Sequence, residues 1–233
     1  GADAEAVNYG EMTLKHKTVV DLDSDVLRFQ ATRLESGLLT LNVDPSSTVS
    51  DLDGEQVMDI SGSYSGLWEP IVNLLHELAP ALEEQVALRL EGAIAPRIEG
   101  AVSTGTFTFQ GPLNRESVKP VVAAVGGTSF GWEKGSAVGL DLGEAVFSLA
   151  MDRGRLNVDA RPIRTSGGVT KLGGGSVDMT GETPVFRLPG KVEVFKDVRI
   201  TPEVGRLLLS RVNPVFASVG KLEGAMSLTS RDI

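Results

Sequence analysis

The chain predicts a mainly β fold with two short amphipathic helices, and three observations carry that expectation. Apolar and polar residues alternate along many short segments. Glycine-bearing turns separate those segments. Only two stretches, Leu67–Leu82 and Thr201–Phe216, space their apolar residues as a helix does. The 27 glycines and an aromatic content of 5% suit short, twisted strands better than a dense aromatic core.

From Glu11 to Leu22, Met12, Leu14, Thr18, Val20 and Leu22 share one parity, with His16 the polar member of that series. Alternation over this length predicts a long, half-buried strand. Val26–Thr32 and Leu38–Val43 follow as strands around a Ser36-Gly37 turn, and Gln56–Ile60 is a further strand after Asp44-Pro45-Ser46-Ser47. Leu67, Ile71, Leu74, Leu75, Leu78 and Leu82 then form a helical stripe that Pro80 should kink or end. Val86–Glu91 and Ala101–Pro112 read as strands, whereas Leu113–Ala124 fits either a broken helix or a loop and strand. Beyond Gly139, strands are expected at Glu144–Met151, Arg155–Ala160, Val169–Met179, Pro184–Leu188 and Val192–Ile200. The second helix should start with Thr201 as N-cap, Pro202 in the first turn and Glu203 at the positive end of the dipole. It should turn Val204, Leu208, Val212, Val215 and Phe216 inward before a closing strand over Lys221–Thr229.

The two helical stretches echo one another. Leu74 and Leu75 align with Leu208 and Leu209, Leu78 with Val212, Pro80 with Pro214, and Leu82 with Phe216. Leu90-Glu91-Gly92-Ala93 returns later as Leu222-Glu223-Gly224-Ala225. This is an internal helix–turn–strand repeat, and the flanking strands repeat less well. The glycine-rich segment Gly126–Gly139 is the expected divide between residues 1–125, holding a helix at about 67–82, and residues 126–233, holding one at about 202–217; a single continuous domain is the alternative. Two helices, each spanning roughly 24 Å by helical rise, are too short to cover the expected long, curved antiparallel sheet. The sheet must therefore close on itself or leave an apolar groove open.

Charge and composition exclude several function classes. A net charge of −9 opposes binding to nucleic-acid backbones and to anionic headgroups at large. Without cysteine there is no disulfide, thiolate metal site or cysteine nucleophile in this chain. His16 and His76 lie far apart and lack a nucleophile or ligand pattern, so no catalytic, metal-binding or cofactor-binding residue is assigned. Asp51-Leu52-Asp53-Gly54-Glu55 has a calcium-loop flavour but lacks the spacing of one and reads as a turn, while Gly126-Gly127-Thr128 and Gly173-Gly174-Gly175-Ser176 lack the lysine-bearing helix of a phosphate loop. Glu55, Asp59, Asp178 and Glu193 are hydrolase candidates by residue type alone.

Apolar faces are what remain. Trp68, Leu74, Leu78, Phe107, Phe109, Phe147, Leu208, Val212 and Phe216 are the expected lining of an apolar groove, with a sealed core as the alternative. An acyl chain needs only apolar area and shape, at about 0.8 kcal/mol per buried methylene, and so leaves no short motif in a sequence. No stretch is long and apolar enough to span a bilayer. The glycine start at Gly1 is expected to be a cleavage remnant, with a targeting or membrane segment further upstream.

Residues 144–233 resemble the C-terminal region of AsmA-like proteins of bacterial envelopes. The resemblance lies in VFSLAMDRGRLNVDARPI (Val146–Ile163), in the glycine-marked strands SGGVTKLGGGSVDMTG (Ser166–Gly181), and in VRITPEVGRLLLSRVNPVFASVGKLEGAMSLT (Val198–Thr229). At the first turn this chain has Arg153-Gly154 where the family carries an Asp-Gly type, and its helix is more charged. The resemblance implies a periplasmic, membrane-anchored envelope protein whose curved β groove holds or passes lipid, with lipid and other envelope proteins as partners. It transfers no catalytic residue. The function expected is thus a non-enzymatic lipid-binding module acting in lipid transport or outer-membrane assembly. The alternative is a structural or protein-interaction domain with a closed core and no small-molecule ligand.

Overall fold

The structure, a computed structural model, describes residues 11–80, 82–95, 104–113, 124–181, 183–218 and 221–229. It is mainly β, as the alternation predicts, and its strands form two antiparallel sheets with few short helices. The larger sheet uses β1 (Thr13–Asp21), β2 (Val26–Glu35), β3 (Leu39–Val43), β4 (Thr48–Ser50), β5 (Val57–Gly66), β7 (Gly105–Pro112), β8 (Val125–Trp132), β11 (Ala145–Asp152), β12 (Arg155–Ala160), β15 (Gly175–Asp178) and β16 (Val185–Arg187). Its order is β1-β2-β3-β5-β7-β8-β11-β12-β15-β16, with β4 joining β2 to β5. The second sheet runs β18-β17-β14-β13-β10-β9-β6, built from β6 (Arg89–Glu91), β9 (Lys134–Ala137), β10 (Leu140–Leu142), β13 (Ile163–Thr165), β14 (Gly168–Thr170), β17 (Glu193–Ile200) and β18 (Gly224–Thr229).

Side-chain alternation gives the large sheet one apolar and one polar face. Register places Ile60, Phe109, Gly126, Met151, Leu156, Val177 and Phe186 on one continuous rung from β5 to β16. Gly62, Phe107, Thr128, Leu149 and Val158 form the next rung. The opposite face carries Ala150, Asn157, Ser176 and Arg187 on one rung instead, with Ser148 and Asp159 on the next. At the β1 end the first of these faces, the apolar one, continues through Leu14, His16, Thr18 and Val20. A bulge helps keep it continuous: Lys17 pairs with Ala31 but Thr18 pairs with Phe29, so Gln30 is skipped. Phe29 and Leu27 thereby stay on the side of Thr32 and Leu34. His16 is accommodated there by Thr32, 2.9 Å from its Nδ1, by Thr18, 3.3 Å from its Nε2, and by an edge contact with Phe29.

Local chemistry sets the turns. The Asp21 carboxylate accepts the amides of Asp23 and Ser24, both at 3.2 Å, and the bonds from Ser24 hold its pKa below the usual carboxylate value. Asp51 accepts the amide of Glu55 at 2.7 Å, so the short acidic run is a stapled turn. Buried Ser47 donates to the Ser61 carbonyl and accepts its amide, stitching the β3–β4 corner to β5. Arg153-Gly154 and Ser166-Gly167 both take positive φ, the two-residue hairpin geometry that matches strand twist.

The glycine-rich segment expected to divide the chain is instead strand. Gly126–Trp132 lies inside β8, paired with β11 throughout and with β7 as far as Thr128, and β9 follows at once. Both sheets therefore draw strands from either side of that segment. Leu113–Ala124 falls for the most part outside the described residues.

The first helix, α1 (Trp68–Leu78), stops just before Pro80. Ala79 there leaves the helical region, at φ −141° and ψ 76°, because the residue preceding proline is disfavoured in the α conformation. A one-turn π segment (Leu82–Val86) then leads to β6. The second helical stretch departs from expectation. α2 (Pro202–Leu207) has Thr201 as its N-cap, accepting the Val204 amide at 3.3 Å, but it is short. Two 3₁₀ turns, Leu209–Arg211 and Pro214–Ser218, replace its continuation, with the Val212 amide reaching back three residues to the Leu209 carbonyl at 3.0 Å. That tightening re-aims the later side chains. Val204 and Leu207 are buried and Leu208 packs on the same cluster, whereas Val212 and Val215 face solvent. The two echoing segments thus differ in local form, and their strands β6 and β18 occupy opposite edges of the second sheet.

Two clusters hold the layers together. Ala145 and Phe147 of the large sheet meet Ile163 of the second sheet, with Phe130, Trp132, Val158, Ala160 and Leu172 around them. Leu140 and Val198 pack beneath Val204 of α2, joined by Phe195, Ile200, Leu208 and Met226.

Candidate apolar site

The second sheet covers only one end of the large sheet's apolar face. At that end Phe147 stacks on Phe130, ring centroids 5.1 Å apart and planes 7° from parallel, and Trp132 lies 5.1 Å from Phe147 at 36°. Trp68 closes this end from α1. Its indole meets Phe130 edge-on and donates to the Gly131 carbonyl. Tyr64 donates its hydroxyl to the Ser129 carbonyl, and burial raises its pKa above the ordinary tyrosine value.

Four residues further along β11, roughly 13 Å by strand rise, none of the described residues of the second sheet covers this face. Here Phe107 and Phe109 of β7, Leu149 and Met151 of β11, Leu156 of β12 and the bare backbone of Gly126 surround a hollow of about 360 Å³. Among the described residues its wall includes no charged side chain. Gly126 contributes twice. It sits directly between Phe109 and Met151, leaving the floor without a side chain, and an added Cβ would come within 2.2 Å of the Thr108 carbonyl oxygen. The apolar face also carries exposed large side chains at both sheet edges, Leu14 and Val20 at one and Phe186 at the other.

The sequence-derived lining therefore divides into three groups. Phe107 and Phe109 line the hollow. Phe147 and Trp68 belong to the covered end as packing anchors. Leu74 and Phe216 are half-buried and Leu208 supports the α2 cluster, whereas Leu78 and Val212 are exposed, at 69% and 84%. In α1 the fully buried residue is Val72, one step off the leucine stripe. Met151, Leu156, Ala124 and Gly126 complete the hollow and were not anticipated. The signal for the first two was present: Leu149, Met151, Leu156 and Val158 keep one parity through the Arg153-Gly154 hairpin.

The hydrolase candidates do not converge. Asp59 on β5 and Asp178 on β15 are separated by four intervening strands, so about 24 Å lies between their strands. Asp178 is engaged locally: hydrogen bonds from Thr180 lower its pKa, and Arg187 lies 3.6 Å away. Glu55 sits in a turn and Glu193 in the other sheet. Among the described residues no group of three or more His, Asp and Glu side chains is placed to hold a metal ion, and no helix is long and apolar enough to cross a membrane. No protein-family model, curated protein or solved structure matches the chain.

Proposed function

We propose that this protein is a non-enzymatic module of a bacterial envelope that binds or shields lipid acyl chains along the apolar face of its large sheet. A single observation carries the reading: one face is apolar from β1 to β16, yet the second sheet covers only its Phe130–Phe147 end. A hollow of about 360 Å³ falls in the usual range for small-ligand sites, about 300–1,000 Å³. Ten methylenes buried there supply about 8 kcal/mol, enough to offset the lower part of an association cost of about 4–15 kcal/mol. A wall without charge suits a hydrocarbon and offers nothing to orient a polar substrate. The likeness of residues 144–233 to AsmA-like proteins points the same way and motivates the assignment to lipid transport or outer-membrane assembly, in a periplasmic protein anchored through a segment outside this chain.

Uptake of a fluorescent fatty acid by delipidated protein tests the proposal. Saturable binding that Leu149→Asp and Met151→Asp each abolish, with the fold retained, is the expected result. Absence of uptake well above micromolar concentration rejects it and favours the structural or protein-interaction reading. Native mass spectrometry of the purified protein gives a second readout, as co-purified lipid mass.

A further inference from the structure

A second hollow is larger than the apolar one. A space of about 610 Å³ opens in the second sheet, where β10 meets β13 through one paired position, Leu142 with Thr165. Lys134, Arg164 and Arg199 line it, with Ser166, Thr201 and, among the described residues, a single carboxylate, Asp141. Backbone bonds fix this arrangement: Ser166 N–H donates to the Asp141 carbonyl at 2.9 Å, Gly143 N–H to Arg164 at 2.8 Å, and Arg199 N–H to Ser166 at 3.1 Å. The Arg199 guanidinium lies over the Ser166-Gly167 turn, 3.9 Å from where a Cβ on Gly167 would stand.

The side chains present donors and almost no acceptors. Ser166 Oγ already accepts the Asp141 amide at 2.9 Å, and Thr201 Oγ1 accepts the Val204 amide at 3.3 Å, so each hydroxyl proton remains available. Among the described residues neither arginine nor Lys134 has a carboxylate within ion-pair distance. Yet the chain holds 31 acidic against 22 basic residues, an excess from which partners could readily be drawn. Three cations gathered on one hollow, without an ion pair to any described carboxylate in an acidic protein, point to a ligand that brings its own negative charge. The guanidinium fork matches a tetrahedral oxyanion, and the hydroxyls supply further donors at its edge. A net charge of −9 disfavours a polyanion such as nucleic acid but not a single charged group.

We propose that this hollow is an anion site that takes one phosphate group, as a monoester or a diester. The site is independent of acyl-chain binding, because it lies in the other sheet. Inorganic phosphate is titrated into the full chain at constant ionic strength, so that general screening is held fixed. Calorimetry supplies one readout and tryptophan emission a second, since Trp132 donates to the carbonyl of Gly143 on the hollow's wall at 3.0 Å. Saturable one-to-one binding is expected, weakened about tenfold or more by Arg164→Gln and again by Arg199→Gln. Arg33→Gln, at an exposed ion pair in the other sheet, should leave it unchanged. Both arginines of the hollow are exposed, so their variants should keep the wild-type melting curve.

Phosphatidylcholine vesicles with and without phosphatidylglycerol distinguish the source of the phosphate. Arginine-dependent binding to phosphatidylglycerol vesicles assigns a lipid headgroup. Phosphate binding without vesicle binding assigns a small phosphorylated ligand. Failure of both, or equal loss in Arg33→Gln, overturns the proposal, whatever the fatty-acid assay shows.

Discussion

Phe109 and Phe147 are the same residue on the same face of the same sheet, and the fold gives them different neighbours. Phe147 is 7% exposed, stacked on Phe130 and against Trp132. Phe109 is half-buried on the wall of the hollow. Truncating Phe147 to alanine removes a fully packed ring and leaves a cavity that the two flanking aromatics cannot close, at about 3–5 kcal/mol. Truncating Phe109 removes a ring already half in contact with solvent and merely enlarges an open space. Only part of the transfer term is lost, about 1 kcal/mol. The two variants should therefore differ by at least ~2 kcal/mol. With an m-value of about 2 kcal/mol/M, urea midpoints of Phe147→Ala and Phe109→Ala should be separated by ~1 M. Equal shifts at unchanged m would refute the reasoning, because they would mean that the hollow is sealed in solution as firmly as the covered end.

Other consequences are as specific. Val204 is fully buried against Leu140 and Val198, so Val204→Ala should cost about 2 kcal/mol in urea unfolding, whereas Val212→Asp, at a site 84% exposed, should stay within about 0.5 kcal/mol of the parent. Burial raises the Tyr64 pKa above 10.0, so the folded state holds that proton more tightly than the unfolded chain does. Its stabilisation is complete below pH 10 and is lost as pH rises through the folded value; urea midpoints should fall in that alkaline range, and Tyr64→Phe should remove that share of the fall. Thr201→Ala removes the α2 N-cap and should cost about 1 kcal/mol, read as a lowered melting temperature.

Alternation alone made the strands legible, because a half-buried strand must place every second side chain on one face. The parity of Leu14 to Val20, and of Phe147 to Met151, survives intact in the sheet. Thr201-Pro202-Glu203 likewise announced the start of α2, since cap chemistry is local. Where the sequence misled, a local pattern was present but the backbone took another form. The inward stripe through Val212 assumed one unbroken helix, and the chain tightens into 3₁₀ turns instead. The glycines of Gly126–Gly139 suggested a divide between two halves, yet Gly126 is required where β8 approaches β7 too closely for a side chain.

The sequence by itself determined a two-faced, mainly β chain with no cysteine chemistry and an acidic surface, because period, composition and charge are properties of residues in order. Tertiary structure alone decided which part of the apolar face is covered. It placed Phe147 beneath the second sheet and left Phe109 on an open wall, although both lie in strands of the same alternating pattern. It also gathered Lys134, Arg164 and Arg199 around one hollow from three separate strands. Burial and charge convergence depend on which strands become neighbours, and the long-range pairing that sets this leaves little trace in local residue order.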